Sequence, residues 1–240
     1  MFVFIIILEM IFIPLFLLIF LFSKFKKKSN FNKSQYKSET DFSYAEVMKD
    51  KGKLGEYNIF CELEKLKGNK AILANTYIPK YNGQTTEIDL IMIHETGIYV
   101  FESKNYSGSI FGGEEYYTWV QVLNKKVRNK FYSPIKQNNN HIKYLNCFLQ
   151  LPYKDIYSIV VFSNRCKLGD INVLSDNVKV TKCENLKSIM IDLIKSKNKI
   201  YSEEDIKNIY NRLKQYSNTS LEDKEKHIDN INKNFRHERV

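Results

Sequence analysis

The sequence predicts a mixed α/β domain, a central sheet flanked by helices, with one transmembrane helix in front of it. Three observations predict it. Residues 86–93 and 97–104 are two apolar, strand-like runs separated by a short turn. Apolar residues recur at helical spacing before and after them, in 55–66, 135–148, 184–196 and 202–216. Met1 to Phe22 is apolar throughout except for Glu9, with Pro14 midway. The continuous apolar character of Ile88 to Ile93 marks a strand buried on both faces, which calls for helices on either side of the sheet.

A run of about 20 apolar residues suffices to cross a bilayer, so residues 1–22 are expected as a transmembrane anchor. No basic region precedes the run and no small-residue cleavage site follows it, as a cleaved signal peptide would require. The flank carries Lys24, Lys26, Lys27, Lys28, Lys33 and Lys37. By the positive-inside rule these lysines place the rest of the chain in the cytoplasm, as a single-pass protein of the cell membrane. Glu9 costs roughly 3 kcal/mol at the bilayer centre if ionised; protonation, a place nearer the interface, or contact with another helix would each relieve it. Residues 23–50 read as a basic polar tether that turns helical near Tyr44. Residues 51–165 form the core domain, 166–218 a strand and helices that complete it, and 219–240 a charged tail.

The first helix carries Ile59, Leu63 and Leu66 on one face, and Gly68-Asn69 ends it as a C-terminal glycine should. Ala71 to Ile78 is the first strand, closed by Pro79, with Asn82-Gly83 as the turn. Strands 86–93 and 97–104 follow. Residues 106–122 are rich in Gly and Tyr and fit a further hairpin or a long loop. Ser133-Pro134 opens the next helix, with Ser at the N-cap and Pro at the first helical position. Residues 157–163 read as a buried strand and 178–181 as a short edge strand. The acid-rich Ser202-Glu203-Glu204-Asp205 starts the last helix.

The formal charge is +10 and the isoelectric point about 9.2, which favours an anionic partner, nucleic acid or lipid headgroups. Part of that surplus lies in the lysines beside the anchor, whose natural role is topology and headgroup contact. Cys61, Cys147, Cys166 and Cys183 show no CxxC pairing and, in a cytoplasmic domain, are expected as reduced thiols. His94, His141, His227 and His237 are scattered without zinc-ligand spacing, and His94 is expected to face solvent at a turn. A Gly-rich phosphate loop, a GxSxG elbow and a dinucleotide fingerprint are all missing from the sequence.

The chemistry gathers on the two central strands. Side chains alternate faces along a strand, so Ile98, Val100, Glu102 and Lys104 point one way, and that face ends in a carboxylate beside an amine. A hairpin brings Asp89 close to Glu102. Unpaired buried charge is costly, and a divalent metal held by Asp89 and Glu102 with Lys104 alongside would relieve it; the competing reading is an ordinary Glu–Lys pair at a strand's exit into solvent. Mg²⁺, or Mn²⁺, suits such oxygen ligands, with the backbone carbonyl of Ser103 as a third group. Glu87 shares strand parity with Asp89 and either faces the site or lies on the surface.

Gly55-Glu56 opening a helix, Glu87-Ile-Asp89, Gly97 running into Glu102-Ser-Lys104, Gly108-Ser-Ile110, Gly112, Trp119 and Ser133-Pro134-Ile-Lys-Gln137 occur in that order. Together they resemble the nuclease-related domain family, NERD, over roughly residues 50–165. Ser133 departs from the Asn expected before the Pro. The resemblance implies a restriction-endonuclease-like core of the PD-(D/E)XK superfamily, with Asp89 and Glu102 as metal ligands and Lys104 as a catalytic group. It also implies an auxiliary acid at Glu56, otherwise a residue on a solvated helix face, and a water- or phosphate-positioning group at Gln137. The function it implies is a membrane-anchored, Mg²⁺-dependent nuclease acting on nucleic acid, DNA ahead of RNA. The alternatives are a non-catalytic nucleic-acid-binding protein or a membrane-surface scaffold on the same fold. Lys125, Lys126, Arg128 and Lys130 then offer phosphate contacts, or form a solvated loop. Trp119, Tyr116 and Tyr117 offer stacking for an unpaired base, or packing.

Overall fold

The computed structural model describes residues 2–81, 84–124 and 126–217, and of residues 2–14 the backbone alone. Helices α1 (Phe2–Lys33), α2 (Gln35–Thr40), α3 (Tyr44–Lys49) and α4 (Lys51–Glu64) come first. Strands β1 (Lys70–Pro79), β2 (Thr85–His94), β3 (Gly97–Lys104), β4 (Gly108–Gly113), β5 (Thr118–Leu123) and β6 (Val127–Tyr132) follow. Then come α5 (Pro134–Leu149), β7 (Ile156–Phe162), β8 (Cys166–Asn172), β9 (Val178–Lys182), α6 (Cys183–Lys195) and α7 (Glu203–Lys214). Among the described residues the strands form two mixed sheets, one of five strands in the order β1-β2-β3-β7-β9 and one of four in the order β6-β5-β4-β8.

The apolar runs occupy the middle of the larger sheet. β2 and β3 pair antiparallel, and β3, β7 and β9 run parallel, the β3 to β7 crossover passing through α5. This sheet is buried on both faces, as its unbroken apolar sequence demands. On one face Leu90, Met92, Tyr99, Phe101, Ile159 and Val161 pack under α4 and α6. On the other, Ile91, Ile93, Ile98 and Val100 pack under α5 and α7 through Ile142, Leu145, Ile206, Ile209 and Leu213.

Strict alternation of faces breaks once, and the break lies at the site. Ile88 and Ile91, three apart on β2, share one core cluster, as do Leu73 and Ile78 on β1. Between them Asn75 adopts φ 51°, a left-handed conformation that Asn tolerates better than most residues. Asp89 lies across the ladder from this kink, between the Ala74–Leu90 and Thr76–Ile88 pairs.

Several expectations are corrected. Residues 23–50 do not form a polar tether. They continue α1 to Lys33 and then fold as α2 and α3, and Phe31, Tyr36 and Val47 are fully buried beneath them. Their aromatic rings cluster with Tyr44, Tyr57 and Phe60 of the following helices, so apolar residues spaced too widely to read as an amphipathic stripe still reach the core. A Ser43–Glu46 capping box starts α3. The basic residues Arg128 and Lys130 stand on the edge strand β6, not in a loop, and β8 was not foreseen as a strand. The Asn82-Gly83 turn, Lys125 and residues 218–240 with His227 and His237 lie outside the described residues. Among the described residues no helix is long and apolar enough to cross a membrane; the expected anchor, residues 1–22, lies mostly beyond those whose side chains are described. All four cysteines are free thiols.

Candidate active site

The paired register of β2 and β3 ends at Leu90 opposite Phe101, and beyond it the strands part. Asp89 fills the fork. Its Oδ2 accepts the Ser103 backbone N–H at 2.8 Å, standing in for the ladder carbonyl that the parting strands no longer supply. β3 continues beside β7, which pairs with it as far as Lys104. Glu102 is 1 % exposed and points toward α5, as does Lys104.

Two cations or donors hold Glu102. Lys104 Nζ stands 2.6 Å from Glu102 Oε1, and it also donates to Gln137 Oε1 at 3.0 Å. His141 Nε2 stands 3.2 Å from Glu102 Oε2. Gln137 and His141 are four apart on α5, so one helical face presents both. That helix starts where Ser133 and Pro134 predicted, with the Ser133 hydroxyl accepting from Lys136 N at 3.3 Å.

Helix α4 brings a second acid group from the opposite face. Glu56 Oε2 accepts from the Tyr36 hydroxyl of α2 at 3.3 Å. Gly55 beside it sits so near β3 that an added Cβ would stand 2.9 Å from Ser103 Oγ; close approach of helix to strand is what that glycine permits. Glu87 accepts from Tyr77 of β1 at 2.7 Å.

The electrostatics show an excess of negative charge. Burial pushes Asp89 well above the ordinary carboxylate range, and the carboxylates of Glu102 and Glu56 push it further, with Lys104 and the Ser103 N–H opposing. Burial likewise drives Glu56 up to about 8, helped by Glu87 and Asp50. Glu102 is the exception: burial would raise it, but Lys104 and His141 outweigh burial and hold it below its ordinary value. Lys104 is pushed down by burial and up by Glu102 and Asp89, which win. The arrangement is one ionised carboxylate with its lysine, beside two carboxylates that burial and like charge push toward the protonated form.

The sequence-predicted residues therefore converge: Asp89, Glu102, Ser103, Lys104 and Gln137 meet at the fork, and Glu56 joins through its field on Asp89. Two residues escaped sequence reasoning, His141 and Tyr36. His141 carried a usable signal, since it follows Gln137 by one helical turn; Tyr36 carried none, lying in the expected tether. His94 is buried and not solvent-facing, its ring nitrogens bonded to Thr96 Oγ1 at 2.9 Å and the Lys67 carbonyl at 3.0 Å. Trp119 is fully buried, stacked on Phe162 and donating to the Gly113 carbonyl, so it packs the smaller sheet and offers no platform for a base. Tyr116 and Tyr117 are exposed.

Residues 51–163 match the family model of the nuclease-related domain. This stretch is similar to the NERD domain. A protein of Bacillus anthracis described as uncharacterized is 39% identical over 132 residues, which are 54% of this chain and 60% of that protein. The chain thus covers less than two thirds of that relative. No solved structure matches the chain. The match runs from the first residue of α4 to just past β7, so it takes in Glu56, Asp89, Glu102, Lys104, Gln137 and His141. It leaves out Tyr36 and the elements β8, β9, α6 and α7.

Proposed function

We propose that this chain is a metal-dependent nuclease that hydrolyses phosphodiester bonds of nucleic acid, DNA ahead of RNA, on a restriction-endonuclease-like core. Residues 1–22 anchor it in the cell membrane with the NERD domain on the cytoplasmic side. The observation that carries the reading is the fork itself: Asp89, Glu102 and Lys104 drawn together where β2 and β3 part, with Gln137 on the lysine.

The residues fit a hard dication. Among the described residues no cluster of three or more His, Cys, Asp or Glu is arranged to hold a metal. Asp89 and Glu102 are a pair of oxygen ligands, which suits Mg²⁺ or Mn²⁺ keeping several waters better than a closed all-protein cage. Burial first, and then neighbouring carboxylates, push Asp89 and Glu56 upward, and a cation relieves the like-charge part of that push. Asp89, Glu102 and the Ser103 carbonyl would hold the ion. When bound, it supplies an activated water and neutralises charge on the leaving oxygen. Lys104 then places its ammonium beside the scissile phosphate, where charge grows in the transition state. Gln137 steadies that ammonium through Oε1. Glu56, protonated near neutrality, offers a proton-bearing carboxyl at the margin of the site.

The alternative is non-catalytic binding of nucleic acid or of a membrane surface on the same fold. It draws on the +10 charge and on Arg128 and Lys130 along the exposed edge of β6; lysines on an edge strand also serve simply to prevent edge-to-edge association. The deciding experiment is cleavage of labelled DNA and RNA with Mg²⁺, Mn²⁺ or EDTA by wild type, Asp89→Asn and Lys104→Ala. Cleavage by wild type should require metal. Lys104→Ala should lower turnover about a hundredfold to a thousandfold with metal affinity kept. Asp89→Asn should weaken metal binding. Equal binding of nucleic acid by all three proteins, with no cleavage under any metal, would leave the scaffold reading in place.

A further inference from the structure

The environment of His141 is unlike that of an ordinary core histidine. Its side chain is 10 % exposed, and both ring nitrogens face named groups. Nδ1 lies 2.7 Å from Thr86 Oγ1 of β2. Nε2 faces Glu102 Oε2 at 3.2 Å, yet neither atom of that pair has a hydrogen bond in this structure, and both are fully buried. Buried polar atoms are nearly always satisfied. Two orphans facing each other within reach are one small rotation from satisfying one another, and such bonds in unliganded sites are often misaligned until the site is filled. With the Thr86 hydroxyl donating to Nδ1, the ring proton sits on Nε2, aimed at Oε2.

We propose that His141 is a positioning residue for Glu102: its Nε2–H clamps Oε2 from behind and sets the carboxylate's rotation, and Thr86 fixes the ring that does so. Glu102 is then gripped at both oxygens, by Lys104 at Oε1 and by His141 at Oε2. A carboxylate gripped in this way loses its freedom to swing. This inference rests on Glu102 being a metal ligand. It adds that the ligand's orientation is supplied by two residues on different elements, neither of which touches the ion. Partners of this kind typically change metal affinity by about 10–100-fold when removed.

The test is Mn²⁺ titration of the full chain in detergent micelles by calorimetry, without nucleic acid, on wild type, His141→Leu, His141→Gln and Thr86→Val. Thermal unfolding in EDTA provides the fold control. His141→Leu fills the space without a donor and should bind Mn²⁺ about 10–100-fold more weakly. His141→Gln keeps an N–H at the Nε2 position and should recover most of the affinity. Thr86→Val keeps shape but frees the ring and should fall between wild type and His141→Leu. If His141→Leu does not fold, the comparison of Thr86→Val and His141→Gln with wild type decides alone. Wild-type affinity in every folded variant would overturn the positioning role while leaving the metal site standing. Absence of Mn²⁺ binding by wild type itself would instead overturn the metal-dependent reading on which the role rests.

Discussion

Glu56 lies within the field of Glu87, Asp50 and Asp89, and its proton links the site to the stability of the fold. Its ionisation is displaced from an ordinary value near 4.5 to about 8 in the folded chain. Between those two values the folded chain keeps a proton that the unfolded chain releases. Stability therefore falls as pH rises through this window and levels off above about 8. Glu56→Gln should lessen that slope in denaturant titrations run in EDTA at pH 5.5 to 8, leaving the part that Asp89 contributes; an unchanged slope would show that Glu56 titrates normally. Tyr36→Phe removes the hydroxyl that donates to the ionised carboxylate, which opposes burial. It should carry the slope to higher pH. Residues of this kind divide by how they could be seen in the sequence. Asp89, Glu102 and Lys104 were legible because a charge inside an apolar strand contradicts its surroundings. Tyr36 was not, because an aromatic among lysines and serines shows its role only once the chain is folded.

β2 and β3 were legible as elements because both faces are apolar; β6 and β8 were not, because their sequences are not. Val127–Tyr132 is exposed along nearly its whole length, and its pairing to β5 rests on backbone bonds that no side-chain pattern reports. β8 is half-polar and interrupted by Gly169, whose missing side chain leaves room for the Phe111 ring of β4. The same logic governs the buried side of the smaller sheet. Gly112 of β4 lies flat against the Trp119 ring, into which an added Cβ would intrude, and the ladder to β8 shifts register there. Trp119, stacked on Phe162 of the larger sheet, cannot retreat. Gly112→Ala should therefore destabilise the chain by about 1–3 kcal/mol, the usual cost of overpacking. Denaturant unfolding measures it, and a loss below a few tenths of a kcal/mol would mean the indole has somewhere to go.

The whole molecule is larger than the segment that carries its chemistry. The NERD match spans residues 51–163, but the larger sheet it contains is covered by elements from outside it: Leu186 and Met190 of α6 on one face, Ile206 and Leu213 of α7 on the other. α2 closes the circuit, since Glu39 accepts from Tyr210 at 2.7 Å and pairs with Lys214 at 2.6 Å on α7. Tyr77 N–H of β1 bonds the Tyr216 carbonyl at 3.0 Å. The segment expected as a tether therefore belongs to the core and contributes a hydrogen bond to the candidate site. Removing Phe31, Tyr36 and Val47 together would uncover Tyr57, Phe60 and their neighbours. Loss of a single large buried aromatic costs about 3–5 kcal/mol, against a total stability of about 5–15 kcal/mol for an ordinary domain. A fragment of residues 26–217 should consequently unfold in one cooperative, two-state step and remain monomeric. A fragment of residues 51–217 should melt at far lower temperature or associate through the exposed apolar face, although it holds Asp89, Glu102, Lys104, Gln137 and His141. Circular dichroism melts and light scattering on the two fragments compare them directly. Equal melting temperatures would mean that α1 to α3 only lie on the domain. A large gap would mean that α1 to α3 are built into the domain that holds the candidate site, with Tyr36 joining the two.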